Sequence, residues 1–133
     1  MKYMLDTNVC IDYMRGTDQG IKNRLLACKE DELCISSITL SELLYGVNRS
    51  SNPVKNRNAL YKLLVKIEVI DYGTEAGEYY GIIRNELVRR GMVIGALDML
   101  IAAHAMSNKL VLITHNTAEF GRISGLEIED WHA

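Results

Sequence analysis

Residues 110–116 of the chain read LVLITHN, four apolar residues followed at once by three polar ones. An apolar run without alternation is typical of a strand buried on both faces, as in a parallel sheet covered by helices on each side. The run therefore predicts a central strand over Leu110–Thr114. The polar residues that follow it would lie at the carboxyl edge of that sheet.

Similar short apolar segments alternate with longer helical patterns along the rest of the chain. Four more segments are predicted strands: Tyr3–Leu5, Leu33–Ser36, Glu68–Ile70 and a weaker one at Glu127–Ile128. The predicted helices are at about Asp18–Cys28, at Leu40–Val47, at Val54–Lys66 after the lone proline, at Thr74–Arg90 before the capping Gly91, at Ala96–Ser107 and, as a short turn, after Asn116. Strands separated by helices predict an α/β protein with a parallel sheet of four to five strands and helices on both faces.

The composition is that of an ordinary globular protein. The chain has 133 residues, of which 48% are hydrophobic and 24% charged, so a single domain over residues 1–133 is expected. No apolar run approaches the roughly 18–20 residues of a membrane helix, and the start does not resemble a signal peptide, so a cytoplasmic location is expected. The three cysteines lack metal-ligand spacing and are predicted to be reduced packing residues.

Basic residues are unevenly distributed, although the net charge of −2 gives no hint of a nucleic-acid partner. No acid lies between Leu43 and Ile67, a stretch that contains five basic residues, and a second basic group lies at residues 84–90. These groups are either solvated helix faces or a surface that follows the phosphates of a nucleic acid. In the second case the predicted contacts with RNA or a protein partner are Arg49, Lys55, Arg57 and Arg84.

Acidic and amide side chains follow several of the predicted strands. In parallel sheets, ligands bind in the crevice beyond the carboxyl ends of the strands. Asp6 ends the first strand, and Glu42 lies in the helix after the second strand. Asn116 and Glu119 follow the fourth strand. Asp98 lies near the start of ALDMLIAAHAM, a helix so apolar that it is predicted to be buried.

Each of these residues also has a purely structural interpretation. Acids are favoured in the first turn of a helix, as at Asp98, and Asp6 or Asn8 can cap the segment after the first strand. Two pairs have the spacing of a capping box, the second more loosely: Thr39-x-x-Glu42 and Asn116-x-x-Glu119. Taken singly, capping is the better explanation of each acid.

Taken together, the acids indicate a bound cation. No Lys or Arg lies within a helical turn of Asp98, and Lys2 is the only basic residue close to Asp6 in sequence. Carboxylates gathered at one edge without internal cations repel one another unless a divalent metal neutralises them. Oxygen ligands suit Mg²⁺ or Mn²⁺, and a metal held by acids can activate water against a phosphodiester. The predicted chemistry is therefore hydrolysis of a nucleic-acid backbone.

Four segments resemble the motifs of PIN-domain ribonucleases, and more narrowly those of the VapC toxins of bacterial toxin–antitoxin operons. They occur in order and span nearly the whole chain: MLDTNVCIDYM, ISSITLSELLYG, GMVIGALDMLIAAHA and LVLITHNTAEFGRISGLEIEDW. The resemblance implies a three-layer α/β/α sandwich with its active site at the carboxyl edge of the sheet. It implies a Mg²⁺- or Mn²⁺-dependent endoribonuclease that acts on structured RNA, forms a homodimer and is silenced by a cognate antitoxin. The subgroup that this chain most resembles implies initiator tRNA as the target.

The resemblance also assigns roles to individual residues. Asp6, Glu42 and Asp98 fall on the family's metal-binding acids, and Asn116 and Glu119 are expected to complete the catalytic site. Many PIN domains have a fourth acid where this chain has Asn116, so one charge is missing there. Glu119, one helical turn further on, is the residue expected to compensate.

Neighbouring polar residues are expected to support the site. Thr7 and Thr114 either orient an acid or a water, or make ordinary hydrogen bonds at the strand ends. Asn8 is expected to hold Asp6 in place. His104 is expected to be a hydrogen-bonded packing residue rather than a base.

Two other functions remain open from the sequence alone. A non-catalytic RNA-binding module with the same fold would bind RNA equally well with or without metal. A doubly wound phosphoryl-transfer domain would need a lysine after a late strand, whereas Lys109 precedes its strand.

Overall fold

The computed structural model describes residues 1–133 and contains one five-stranded parallel sheet. The strands are β1 (Tyr3–Leu5), β2 (Leu33–Ser36), β3 (Glu68–Ile70), β4 (Val111–Ile113) and β5 (Ile128–Glu129). Their order across the sheet is β3-β2-β1-β4-β5, and every neighbouring pair is parallel. The predicted α/β architecture is confirmed, and the weak fifth strand is present one residue further along the chain.

Seven helices connect and cover these strands. They are α1 (Thr7–Arg15), α2 (Gln19–Ala27), α3 (Ser37–Arg49), α4 (Pro53–Lys66), α5 (Thr74–Arg89), α6 (Ala96–Ser107) and α7 (Thr117–Phe120), with a 3₁₀ turn at Glu30–Glu32. Helix α1 was not predicted from the sequence; it starts at Thr7, separated from the end of β1 by one residue. This helix is stabilised by packing, because Val9 and Cys10 are fully buried against the sheet.

The sheet is the middle of three layers. Met4 pairs with Leu112 and Leu5 with Ile113, so side chains alternate between the two faces along both central strands. One face packs against α5 and α6 in a buried cluster that includes Met4, Leu87, Met99 and Leu112. The other packs against α1–α4 in a second cluster that includes Leu5, Val9, Leu60 and Ile113. The three-layer sandwich is confirmed.

The start of α3 lies three residues before the predicted position, and this changes the interpretation of Glu42. Ser36 is both the last residue of β2 and the N-cap of α3, with its hydroxyl oxygen accepting a hydrogen bond from Ile38 N at 3.1 Å. Thr39 and Glu42 therefore lie inside the helix. The capping-box interpretation of this pair is wrong, because the helix is already capped upstream.

Other local predictions agree with the structure. Gly91 follows α5 in the left-handed region at φ 65°, where a residue without Cβ is favoured, and its N–H donates to Val88 O. All three cysteines are free. His104 is 1% exposed and its Nδ1 lies 2.7 Å from Ser36 Oγ, so it is a hydrogen-bonded packing residue. None of the helices combines the length and the apolar character that crossing a membrane requires.

Candidate active site

The strand order reverses between β1 and β4, and the candidate site lies at this point of the sheet. The chain builds outward from β1 towards β3 on one side, and β4 and β5 lie on the other. In parallel sheets such a switch opens a crevice at the carboxyl edge. Asp6 directly follows β1, and Thr114 directly follows β4, with Asp6 N donating to Ile113 O at 2.9 Å.

Asp6 lies at the base of this crevice. It is 4% exposed, its Oδ1 accepts a hydrogen bond from Thr7 N at 2.8 Å, and its Oδ2 accepts one from Thr114 Oγ1 at 2.9 Å. The first of these bonds caps α1, so the capping interpretation of Asp6 is correct. Capping does not, however, explain why the Asp6 carboxylate is buried beside another acid. Burial raises the pKa of Asp6, the charge of Glu42 raises it further, and the two hydrogen bonds only partly oppose this.

Glu42 reaches the crevice from α3. Thr7 Oγ1 donates a hydrogen bond to Glu42 Oε1 at 2.7 Å and lies 3.4 Å from Thr39 Oγ1. Thr7 thus links the segment after β1 to the carboxylate from α3. Thr39 is fully buried, and its hydroxyl contacts this threonine. The Ser37 hydroxyl instead bonds to the backbone, because its Oγ accepts a hydrogen bond from Tyr72 N.

Asp98 enters the crevice from the opposite layer. It is the third residue of α6, so it lies in the first helical turn, where an acid is favoured, as predicted from the sequence. The N-cap residue of this helix is Gly95, which has no side chain to cap it. The pKa of Asp98 is raised to about 6, first by burial and then by the negative charges of Asp6, Glu42 and Glu119. Because these charges act on one another, the four acids, which come from four separate chain segments, lie around one crevice.

None of these acids has a basic partner. All the ion pairs of the protein involve other carboxylates, namely those of Asp12, Glu86, Glu129 and Asp130. The crevice therefore holds like charges whose repulsion is not neutralised by the protein itself. The atoms in the crevice that could bind a metal are carboxylate oxygens. No three of these carboxylates have oxygens within 4.8 Å of one another. That set fits Mg²⁺ or Mn²⁺, since such hard cations accept oxygen ligands and keep part of their water shell.

Comparison with known proteins identifies the family. Residues 3–126 match the PIN domain. The chain belongs to the PIN-domain family.

Within this family the chain is similar to VapC proteins. Two relatives from Shigella flexneri and Salmonella typhimurium are both named tRNA(fMet)-specific endonuclease VapC. They are 40% and 44% identical to this chain over 131 residues, covering 98% of both sequences in each case. The crystal structure of VapBC2 from Rickettsia felis bound to a DNA fragment from their promoter has a chain that matches with a TM-score of 0.93 and 39% identity. That match covers 98% of this chain and 99% of the other.

The loop after β4 of this PIN domain carries Asn116 and Glu119. Asn116 is the N-cap of α7, where its N–H donates to Thr114 Oγ1 at 3.0 Å. Its side-chain Nδ2 donates to Glu119 Oε2 at 3.0 Å, so the two predicted residues are paired with each other. The Asn116 side chain does not cap the helix backbone. The pairing leaves the amide oxygen of Asn116 available to a ligand and fixes the Glu119 carboxylate beside it.

Asn8 is not placed as predicted. It is exposed on α1, and its side chain makes no hydrogen bond to Asp6. The contacts that hold Asp6 come from the backbone of Thr7 and the hydroxyl of Thr114, because both lie against the buried carboxylate. Sequence reasoning named both threonines but could not tell which acid each would bind.

Three of the four predicted basic contacts each lie against a tyrosine of their own helix. Arg49 lies over the Tyr45 ring at 5.8 Å, Arg57 donates to Tyr61 Oη at 3.3 Å, and Arg84 donates to Tyr80 Oη on α5 at 2.8 Å. Of the four, only Lys55 lines the open groove between α1 and α4, which has a volume of about 1060 Å³. The other lysines of this groove are Lys22, Lys62 and Lys66. Lys22 was missed, since it comes from α2 and lies outside the acid-free stretch.

Proposed function

We propose that this PIN domain is a metal-dependent endoribonuclease toxin that hydrolyses phosphodiester bonds in structured RNA, with initiator tRNA as its substrate. The observation that carries this proposal is the set of partly or fully buried carboxylates without a basic partner at the carboxyl edge of the sheet. The similarity to endonucleases named for tRNA(fMet) supports the choice of substrate.

Asp6, Glu42 and Asp98 are the residues proposed to hold Mg²⁺ or Mn²⁺. When bound, the cation lowers the pKa of a coordinated water and neutralises charge on the phosphate. Neighbouring residues hold the carboxylates that would bind the cation. Thr114 and the Thr7 backbone orient the Asp6 carboxylate, and the Thr7 hydroxyl orients Glu42.

Asn116 and Glu119 are proposed to complete the catalytic site. Their hydrogen bond aligns an amide oxygen and a carboxylate beside Asp98 without the charge that a fourth aspartate would bring. Water would add to phosphorus while the bond to the 3′ oxygen breaks, leaving a 5′-phosphate and a 3′-hydroxyl. These are the products that the family resemblance implies.

The partners follow from the same proposal. The four lysines of the groove between α1 and α4 form a basic surface that can contact RNA phosphates or an acidic segment of a cognate antitoxin. A homodimer is proposed from the family resemblance, and light scattering of the purified protein tests it. A toxin that acts on tRNA works in the cytoplasm.

Cleavage of total tRNA tests the proposal. The purified protein is incubated with tRNA and Mg²⁺, with and without a chelator, beside Asp98→Asn and Asp6→Asn. A matched control is Glu78→Gln, which removes an exposed carboxylate on α5 that takes part in no hydrogen bond of the site. We expect cleavage by the wild type and the control, and a loss on the order of 10²-fold or more with chelator or either aspartate variant.

The outcomes separate the proposal from its main alternative. Full cleavage by Asp98→Asn would remove that residue from the mechanism. Binding of tRNA that is unaffected by metal, with no cleavage under any condition, would instead indicate a non-catalytic RNA-binding module. Growth arrest on expression, relieved by Asp98→Asn and by co-expression of the adjacent open reading frame, tests the toxin–antitoxin assignment.

A further inference from the structure

A second cluster of ligand-type side chains lies beside the acidic crevice and shares no residue with it. His115 follows β4, and Asp130 and His132 follow β5. His115 Nδ1 lies 2.9 Å from Asp130 Oδ2, and His132 Nδ1 lies 3.0 Å from Asp130 Oδ1. One donor atom from each of the three residues can be chosen so that all lie within 4.8 Å of one another. The two imidazole rings face each other at a centroid distance of 4.2 Å.

Asp12 determines which nitrogen of His132 faces this cluster. His132 Nε2 lies 2.8 Å from Asp12 Oδ2, so Nε2 carries the proton that it donates to that carboxylate. In the neutral ring, Nδ1 then has a lone pair, and it faces an Asp130 oxygen at 3.0 Å. Two acceptor atoms at this distance repel each other unless a cation lies between them. A proton can fill this role, and so can a metal ion.

The arrangement has the parts of a histidine metal site. In such sites the ligating imidazole donates its other N–H to a carboxylate, which fixes the tautomer and the ring orientation. Asp12 stands in that position relative to His132. The hydrogen bonds to Asp12 and Asp130 also raise the pKa of His132 overall, although its partial burial acts in the opposite direction. A positive charge is therefore favoured between these groups.

We propose that His115, Asp130 and His132 form a binding site for Zn²⁺, with Asp12 as the residue that positions His132. Two imidazoles and one carboxylate favour zinc over Mg²⁺, which prefers oxygen ligands. Tetrahedral ligands at about 2.0–2.1 Å from zinc are about 3.4 Å apart. The His115 and His132 nitrogens lie 2.9 and 3.0 Å from different oxygens of Asp130, and one ligand atom from each of the three residues lies within 4.8 Å of the others. The exposed His115 side chain would move to bring all three ligand atoms to the spacing that zinc requires. The fourth position is left to water.

A bound Zn²⁺ would connect three separate parts of the protein. Asp130 and His132 belong to the C-terminal segment, His115 to the loop that carries Asn116, and Asp12 to α1. The ion would fasten the C-terminal segment over the end of β4. It would therefore stabilise the fold beside the acidic crevice without supplying a ligand to it.

Histidine NMR tests the site directly, because the chain has only three histidines. The imidazole resonances are followed while ZnCl₂ is added in the presence of excess Mg²⁺. We expect the His115 and His132 signals to shift together and saturate at equimolar Zn²⁺, while the buried His104 signal stays unchanged as an internal reference. The unfolding midpoint should rise with Zn²⁺ in parallel.

Variants decide whether the proposed ligands are responsible. His115→Gln and His132→Gln should weaken Zn²⁺ binding by more than tenfold, and Asp12→Asn should weaken it by about 10- to 100-fold. Asp98→Asn should bind Zn²⁺ as the wild type does. Because His115 is exposed, its variant reports on binding even if replacement of the half-buried His132 disturbs folding.

Three results would overturn the proposal. The first is the absence of any coupled histidine shift at millimolar Zn²⁺. The second is wild-type affinity in His115→Gln. The third is loss of binding in Asp98→Asn, which would place the zinc in the acidic crevice instead. None of these outcomes depends on nuclease activity, so the zinc site and the proposed function stand or fall separately.

Discussion

Replacement of Asp98 by asparagine should stabilise the metal-free protein while it abolishes the proposed function. Asparagine has nearly the same shape as aspartate but no charge, so it removes first the cost of burying a charge and then the repulsion from the neighbouring acids. The pKa of Asp98 rises from 3.8 to about 6 on folding. At 1.36 kcal/mol per pKa unit this is about 3 kcal/mol, and screening at a site that is only partly buried reduces it to about 1–2 kcal/mol.

The pH dependence of this gain follows from the direction of the pKa shift. The folded protein binds a proton at Asp98 more tightly than the unfolded chain does, so stability is lost as the pH rises from about 4 to about 6. Above pH 6 the charged Asp98 lowers the free energy of unfolding of the wild type by the full amount, and Asp98→Asn avoids this loss. Below pH 4 both proteins are uncharged at this position, and the difference should vanish.

Thermal unfolding in a chelating buffer measures the effect. At pH 7.5 we expect Asp98→Asn to unfold about 3–8 °C above the wild type, with no more than a small difference at pH 4. Mg²⁺ should raise the midpoint of the wild type and leave that of the variant nearly unchanged. Glu78→Gln serves as the control and should stay close to the wild type throughout, within about 0.5 kcal/mol.

Two results would contradict the reasoning. Lower stability of Asp98→Asn at pH 7.5 without metal would mean that Asp98 makes favourable contacts that its charge strengthens. An equal gain at pH 4 and pH 7.5 would mean that packing, and not the negative charge of Asp98, is responsible.

Three further substitutions test other parts of the structure, each by urea denaturation against the wild type. Thr114→Val should cost about 1–3 kcal/mol and raise the pKa of Asp6 further, because the buried carboxylate loses a donor; no loss would show that this hydrogen bond is dispensable. Gly20→Ala should destabilise by about 1–3 kcal/mol although alanine favours helices, since its Cβ would lie 2.5 Å from the backbone oxygen of Trp131; a stabilised variant would refute that close packing. Leu112→Ala, at a fully buried position of β4, should cost about 2–5 kcal/mol, and a much smaller value would contradict its place in the core.

The strands and the location of the site were predictable because they depend on short-range patterns. Apolar runs gave the bounds of β1, β2 and β3, and the rule for parallel sheets brought Asp6 and Asn116 to one edge. The burial of α6 followed from its nearly continuous apolar sequence. In each case a local feature of the sequence was enough.

The helix boundaries around the site were less predictable, because packing decides them. The segment TNVCIDYMR is short and is separated from a strand by one residue, and its residues Val9 and Cys10 pack against the sheet. The early start of α3 depends on Ser36, which belongs to strand and helix at once. This shift also ruled out capping as the reason for Glu42.

Side-chain partners within the site could not be predicted, because they are set by three-dimensional proximity. Thr7 bonds to a carboxylate 35 positions away, and Thr114 to one 108 positions away. The cluster formed by Asp12 and His132 joins residues near opposite ends of the chain. Asn8 adjoins the site in sequence, but the helix turns its side chain towards solvent.

Anomalous diffraction from crystals soaked in Mn²⁺ would test most directly whether acids drawn from both layers share one cation. We expect a manganese peak in the crevice, coordinated directly or through water by Asp6, Glu42 and Asp98, and absent from crystals of Asp98→Asn. A crevice without manganese at millimolar concentration, or a peak that persists in the variant, would contradict it.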